Sequence, residues 1–449
     1  MRDTLRAQLW PLPTLGVVLA VVAGVVLPRL DEQFQHDIPP WLSDYLFSGN
    51  ADAARSVLEA IAGSLVTVTA LTFSLTVLTL QLASSQFSPR LLRTFTADRY
   101  VQTTLALFLA TFTYALTVLR TVRTGEDERS GVPHMSVTVA FLLTLASVLG
   151  LVLFLSHLAR EIRVETMMSS VHSAADRTIQ RLLPHREDAP YRNLAAEAHQ
   201  GNPLRPPSNA LTLTVGTSGF LTSVDEDALL NAAVAADAIL VIDRHPGSSL
   251  ITGTPMGAAW PRTSERFTPE TQARLTEAAS KAVTTGSERT DHQDIAFSLR
   301  QLTDIAAKAL SPGVNDPTTA VHALSHSSAL LCELTQRHLG PHLLLDNDQQ
   351  VRVVLQRPNL EDLLDLAVTQ PMRYGAAEPA VLARIAMLLR ELAWTSTPAH
   401  QPPVHSALTR LRATIDAQDF HPTERLQLTE LTRLIGEALA KQQAHGPTP

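Results

Sequence analysis

The chain has 449 residues, 45% of them hydrophobic and only 18% charged, with a single cysteine and a formal net charge of −7. Soluble domains carry about a quarter charged residues, and here the deficit is concentrated in long apolar runs. That excludes a wholly soluble, a disordered and a disulfide-stapled protein. The lack of any Lys/Arg cluster argues against nucleic acid as a partner.

Four windows, 7–28, 60–89, 100–119 and 130–159, contain no Asp, Glu, Lys or Arg. A helix of about 20 apolar residues crosses a bilayer, so each window predicts a span. Arg2 and Arg6 before the first run imitate a signal peptide, but no A-x-A-like cleavage site follows and three more apolar stretches do, so the run is expected to be retained. The remaining spans are expected near 56–85, 101–119 and 135–157. Seven arginines (2, 6, 90, 93, 99, 160 and 163) flank the spans on one side and five (29, 55, 120, 123 and 129) on the other. The arginine-richer side is expected to be cytoplasmic, which places both termini there. Apart from Glu59 in the first turn of the second, the expected spans hold no acidic or basic residue, which argues against a proton-coupled pump or a voltage sensor.

The second span carries two polar stripes. At about 100° per residue, Thr69, Thr72, Thr76 and Thr79 share one narrow arc, and Thr67, Ser74 and Gln81 lie nearly opposite. Hydroxyl and small residues let membrane helices approach and hydrogen-bond. Rings of hydroxyls in an oligomer can also replace part of an ion's hydration shell. The first stripe is therefore the pore-lining candidate and the second a packing or alternative pore stripe. Pro89, after Ser88, predicts a sharp turn where the long helix ends.

Past residue 160 a polar helix is expected to about 183, followed by a proline-rich linker. Strands are expected at 211–215, 220–224, 238–243 and 249–252, with a helix opening on Asp225-Glu-Asp. From 268 onward helices are expected at 269–285, 292–310, 317–339, 359–370, 378–395, 404–417 and 422–443, interrupted by one strand at 351–355. The expected fold is thus a mainly α membrane protein: four transmembrane helices (1–165), a helix and linker (166–208), a small β-rich domain (209–265) and a mainly helical cytoplasmic domain (266–449).

In the loop between the second and third of these helices, Asp316 is a good N-cap and Pro317 suits the first helical position. Asp304 and Lys308 stand one turn apart, and Asn315 and Asp316 add polar groups. Asp304, Asn315, Asp316 and Pro317 are a candidate subunit contact or ligand loop. His322 and His326 at i, i+4 could face one metal, but no HExxH motif accompanies them. Cys332 reads as a small core residue. Nothing matches a phosphate loop or a nucleophile elbow, so no catalytic residue, metal or cofactor is assigned.

Three segments carry a family resemblance: Ser85-Gln-Phe-Ser-Pro-Arg-Leu-Leu after the Thr-rich span, the run from Asp304 to Ala320 (DIAAKALSPGVNDPTTA), and Ser218-Gly-Phe-Leu with the later Pro246-Gly. Together they resemble the bacterial membrane proteins grouped as the domain of unknown function 2254 family. The resemblance implies a four-span inner-membrane protein with a cytoplasmic carboxyl-terminal region and brings no reaction. Ser248 stands where an acid is expected after the glycine. The functional expectation is a homo-oligomeric ion-conducting or gated pore in the lipid bilayer, lined by the second span and passing inorganic ions. The alternative is a membrane-tethered sensor or scaffold whose cytoplasmic region binds a partner or small ligand.

Overall fold

The computed structural model describes residues 10–34, 46–86, 98–122, 132–161, 163–185, 206–263 and 266–444. The turn expected at Ser88-Pro89, most of the first family motif and most of the proline-rich linker lie outside them. The chain divides into two compact units, Met1–Thr166 and Met167–Pro449.

The first unit is a bundle of α1 (Pro11–Phe34), α2 (Ala51–Gln86), α3 (Arg99–Leu119) and α4 (His134–Glu161). All four are long and apolar enough to cross a membrane. The apolar stretch of α2 runs 31 residues, about 46 Å at 1.5 Å per residue, so it exceeds a hydrocarbon core of about 30 Å. Each helix is apolar on both faces, as a bilayer requires. Leu15, Leu19, Leu71, Phe73, Phe141, Leu145 and Leu149 point outward, while Leu58, Phe108, Tyr114, Val118 and Phe154 are buried between helices.

Close approach of α1 to α3 depends on glycine. A Cβ on Gly16 would lie 3.1 Å from the Ala106 carbonyl oxygen, and one on Gly24 would lie 2.8 Å from Thr117 Cβ. Where apolar burial gives no advantage over lipid, such backbone proximity is the main source of association. Between α3 and α4 the buried hydroxyls of Thr111 and Ser147 meet at 3.1 Å.

The second unit begins with α5 (Val164–Leu182), whose first residues overlap the boundary. A five-stranded sheet has the order β1 (Leu211–Thr214), β5 (Pro255–Pro261), β3 (Ala238–Ile242), β8 (Val351–Leu355), β7 (His342–Leu345). A three-stranded sheet joins β4 (Ser249–Leu250), β2 (Gly219–Val224) and β6 (Val283–Gly286). All pairings are antiparallel except β3 with β8. Two helices, α6 (Glu226–Ala235) and α7 (Pro269–Ala282), share a core with the strands: Leu229, Ala233, Leu275 and Ala279 against Leu213, Leu240, Ile242 and Val353. The remaining helices are α8 (Ile295–Ala309), α9 (Pro317–Thr335), α10 (Leu360–Tyr374), α11 (Pro379–Thr395), α12 (Gln401–Asp416) and α13 (Pro422–Ala444). They bury Leu302, Leu331, Leu364, Ile385, Leu389, Leu411 and Ile435.

Three expectations need correction. The helix expected to 285 stops at Ala282, because the β-branched run Val283-Thr-Thr pairs with β2 instead. Strand β7 was hidden in the four-residue run His342-Leu-Leu-Leu, which has no alternation to reveal it. The break expected at 265 falls inside the second unit, since both sheets take strands from each side of it.

The glycine contact gives a paired test. Gly24→Leu is expected to destabilise the detergent-solubilised protein by about 1–3 kcal/mol through overpacking. Gly63→Leu, whose Cβ meets nothing within 4 Å, is expected to leave the thermal midpoint unchanged.

Candidate functional site

The two stripes of α2 have different surroundings. Thr72, Thr76 and Thr79 are buried (0%, 7% and 6% exposed), Thr69 is half-buried, and Thr67, Ser74 and Gln81 are exposed on the outer face. Three of the four hydroxyls bond within the helix. Thr69 donates to the Leu65 carbonyl at 2.6 Å, Thr76 to Thr72 and Thr79 to Leu75, both at 2.8 Å. Thr72 Oγ1 finds no partner among the described residues. Thr69 borders a groove of about 670 Å³ whose other walls include Trp10, Val17, Phe73, Leu109 and Phe112. Most of the first stripe is therefore buried within the single chain, and Thr69 borders a mainly apolar groove.

The bundle also holds two polar contacts that hydropathy alone conceals. Helix α1 continues past the first apolar run and carries Asp31 into the interior, where it is 1% exposed. Its Oδ2 accepts from the Ser136 backbone N–H at 3.0 Å and from the Ser136 hydroxyl at 3.3 Å, in the first turn of α4. The buried Tyr114 hydroxyl donates to the Ser136 carbonyl at 3.1 Å. Negative charge suits a helix N-terminus, so Asp31 ties α1 to α4. The expectation that no acid other than Glu59 enters a span is corrected here. Where α3 begins, Asp98 caps the helix through Tyr100 N–H, and its other oxygen meets His157 Nε2 of α4 at 2.6 Å. The Tyr100 and His157 rings stack at 4.6 Å.

In the second unit the loop from α8 to α9 is a capping device. Asp316 accepts from the Thr319 backbone N–H and hydroxyl, at 3.1 and 2.6 Å, and the Thr319 hydroxyl is the main cause holding its carboxyl below the usual range. Pro317 opens α9, Asn315 adopts a left-handed φ of +50°, and Asp304 sits half-buried on α8, away from the turn. Half-buried Cys332 has its thiol pushed up by burial. His326 meets His172 of α5 rather than a metal-ligand set. Among the described residues no group of three or more His, Cys, Asp or Glu side chains is placed to hold a metal ion.

The more specific feature is a crevice at the carboxyl ends of β3 and β8. These two central strands run parallel, and Gln356 N–H donates to the Ile242 carbonyl where they finish. Crevices outside the carboxyl ends of adjacent parallel strands are recurrent ligand sites in open sheets. This one has a volume of about 30 Å³ and is bordered by Arg244, Pro246, Gln356, Arg357, Glu226 and Gln293 among others. That volume holds about two waters or one small acidic group, not a nucleotide. Arg357 donates to Glu226 at 3.1 Å and to the Leu182 carbonyl at 2.9 Å. His342 approaches Glu226 at 3.3 Å, and this contact is the largest cause holding the Glu226 carboxyl below its ordinary value. Arg244 makes no hydrogen bond among the described residues. Sequence reading missed the crevice because its walls come from positions as distant as 182 and 358.

The second half of the third family motif forms the adjacent wall. Gly247 has φ +90°, and a Cβ there would lie 2.1 Å from Asp294 Oδ2. Asp294 is 3% exposed, caps α8 and accepts from Arg289 Nε and Nη2 at 2.8 and 2.6 Å. Burial pushes its carboxyl up despite Arg289. The glycine is thus required both by conformation and by the close approach of a buried ion pair. Gly247→Ala is expected to lower stability by about 1–3 kcal/mol, read as a fall in the thermal midpoint of the full chain.

Comparison with known proteins agrees with these motifs. The profile of the DUF2254 family, described as a predicted membrane protein, matches residues 6–391. The uncharacterized proteins Rv1290c of Mycobacterium tuberculosis and Mb1321c of Mycobacterium bovis are each 34% identical over 391 residues, covering 87% of this chain and 73% of theirs. No solved structure matches the chain. With four apolar helices and a profile spanning nearly its whole length, the chain belongs to the DUF2254 family of predicted membrane proteins.

Proposed function

We propose that the protein is a membrane-tethered sensor or scaffold: the helical bundle is an anchor, and the second unit binds a small ligand bearing an acidic group in the crevice between β3 and β8. The observation that carries this reading is the crevice itself. It lies at the carboxyl ends of the two parallel strands, and the Arg244 guanidinium beside it offers donors that no described group takes up. The burial of Thr72, Thr76 and Thr79 within a single chain supports an anchor over a channel. In this reading the protein sits in a bacterial inner membrane with both termini and the second unit on the cytoplasmic side, as the arginine bias favours.

One observation supports a second reading. Thr67, Ser74 and Gln81 are exposed along the outer face of α2. The Thr67 hydroxyl donates to the Gly63 carbonyl at 3.3 Å, but a glutamine amide such as Gln81 is costly to leave facing lipid. Copies of the chain could meet along this face, with a pore for inorganic ions between them.

Two measurements on the full chain separate the readings. In nanodiscs, a thermal-shift series with inorganic phosphate and small carboxylates is expected to raise the midpoint, and Arg244→Ala is expected to remove the increment. In liposomes, ion flux is expected to equal that of empty vesicles. Flux that Ser74→Leu abolishes, with no anion-dependent shift, would replace the first reading with the second.

A further inference from the structure

Helix α5, from Met167 onward, belongs to the second unit and makes two distinct kinds of polar contact there. Its carboxyl-terminal end is tied by groups that do not titrate near neutrality. Thr178 donates to the Asp291 carbonyl and Arg181 to the His292 carbonyl. Arg357 donates to the Leu182 carbonyl, and Arg337 to the Leu183 carbonyl at 3.1 Å.

The preceding turns bury Met167, Met168, Val171 and Ala175, and beside this apolar face they set like groups against like. The His172 ring of α5 meets the His326 ring of α9 with centroids 5.2 Å apart, tilted by 60°. His322 stands one turn before His326 on the same helix face, and Asp316 at the start of α9 faces His322. One turn beyond His172, Asp176 faces Glu333 of α9. Gln180 donates to Asp176 at 2.9 Å, and Arg337 Nη2 meets Glu333 Oε1 at 3.0 Å. His172 Nδ1 is buried with no hydrogen-bond partner among the described residues. An imidazolium there would have a buried donor unsatisfied beside a second positive ring.

The signs of the two sets oppose each other. Burial, then His172 and His322, lowers the affinity of His326 for a proton. The undocked helix therefore binds more protons than the docked one, and docking weakens as pH falls through the ordinary histidine value of 6.5. Burial and Asp176 push Glu333 up, so a proton there favours docking. Arg337 already relieves part of the carboxyl repulsion, whereas the imidazoles face one another without an acid between His172 and His326. The facing His172–His326 pair, with His172 Nδ1 buried and unpartnered among the described residues, leaves acidification favouring release.

We propose that the α5–α9 contact is a proton-sensitive latch, in which protonation at the facing His172–His326 pair frees the amino-terminal half of α5 from α9 while its carboxyl-terminal end stays tied. The device places a pH-responsive contact inside the second unit. It is independent of any ligand in the crevice.

Hydrogen–deuterium exchange of the full chain in nanodiscs tests it, at about pH 7.5 and about pH 5.5, with labelling times scaled for the intrinsic rate. Protection of peptides covering 164–177 is expected to fall about tenfold at the lower pH, equivalent to one unit of differential proton affinity, while 178–183 keeps its protection. The His172→Gln/His326→Gln variant is expected to hold the neutral-pH protection at both values. If that variant does not fold, His322→Gln, at an exposed position, serves and is expected to shrink the acid effect. Equal protection at the two pH values overturns the proposal. So does an acid loss that survives the histidine substitutions.

Discussion

A hydroxyl or carboxylate inside a bilayer has to find its hydrogen-bond partner within the protein, and the arrangement of the membrane unit follows from that constraint. Thr69, Thr76 and Thr79 turn back onto carbonyls of their own helix. Thr111 meets Ser147 across α3 and α4, and Asp31 reaches the first turn of α4. Each arrangement allows a polar side chain to be buried among apolar neighbours. The back-bonded threonines then present methyl groups rather than hydroxyls to the next helix, which is why a polar stripe in the sequence becomes a packing face in the fold.

Much of the bundle was legible in the amino-acid order. Charge-free windows located all four spans, and the helical period separated the two faces of α2 correctly, because both signals are local. What the period could not say is which face looks inward. Asp31 was missed for a related reason: it lies beyond the charge-free run, and only the continuation of α1 past Pro28 brings it inside. In the second unit the caps at Asp225, Asp294 and Asp316 are local and mostly readable. Strand β6 depends on partners in β2 such as Phe220 and Ser223, 59 to 66 residues earlier, and β7 on partners in β8 such as Val353, 6 to 13 residues later. The crevice depends on the parallel pairing of β3 with β8, a contact between residues 242 and 355 that no window spans.

The same contrast explains the family motifs. The run from Asp304 to Ala320 is accounted for by the turn between α8 and α9, where Asp316 caps and Asn315 takes a left-handed conformation. The Pro246-Gly pair is explained by an event far along the chain, the burial of Asp294 with Arg289 against the Gly247 backbone. That ion pair fixes the loop after β3 against the start of α8, and so fixes one wall of the crevice. A short motif that looked weak as sequence thus has a demanding physical cause, while the long motif is satisfied by local capping.

The central claim is that the threonine face of α2 is dry. Single cysteines placed at Thr72 and Thr76 in a Cys332→Ser chain, exposed to a membrane-impermeant maleimide on both sides of open membranes, test it directly. The account predicts no labelling at either position while a cysteine at exposed Ser173 reacts fully. Labelling of Thr72→Cys or Thr76→Cys at a rate comparable to that control would put water along this face and contradict the account.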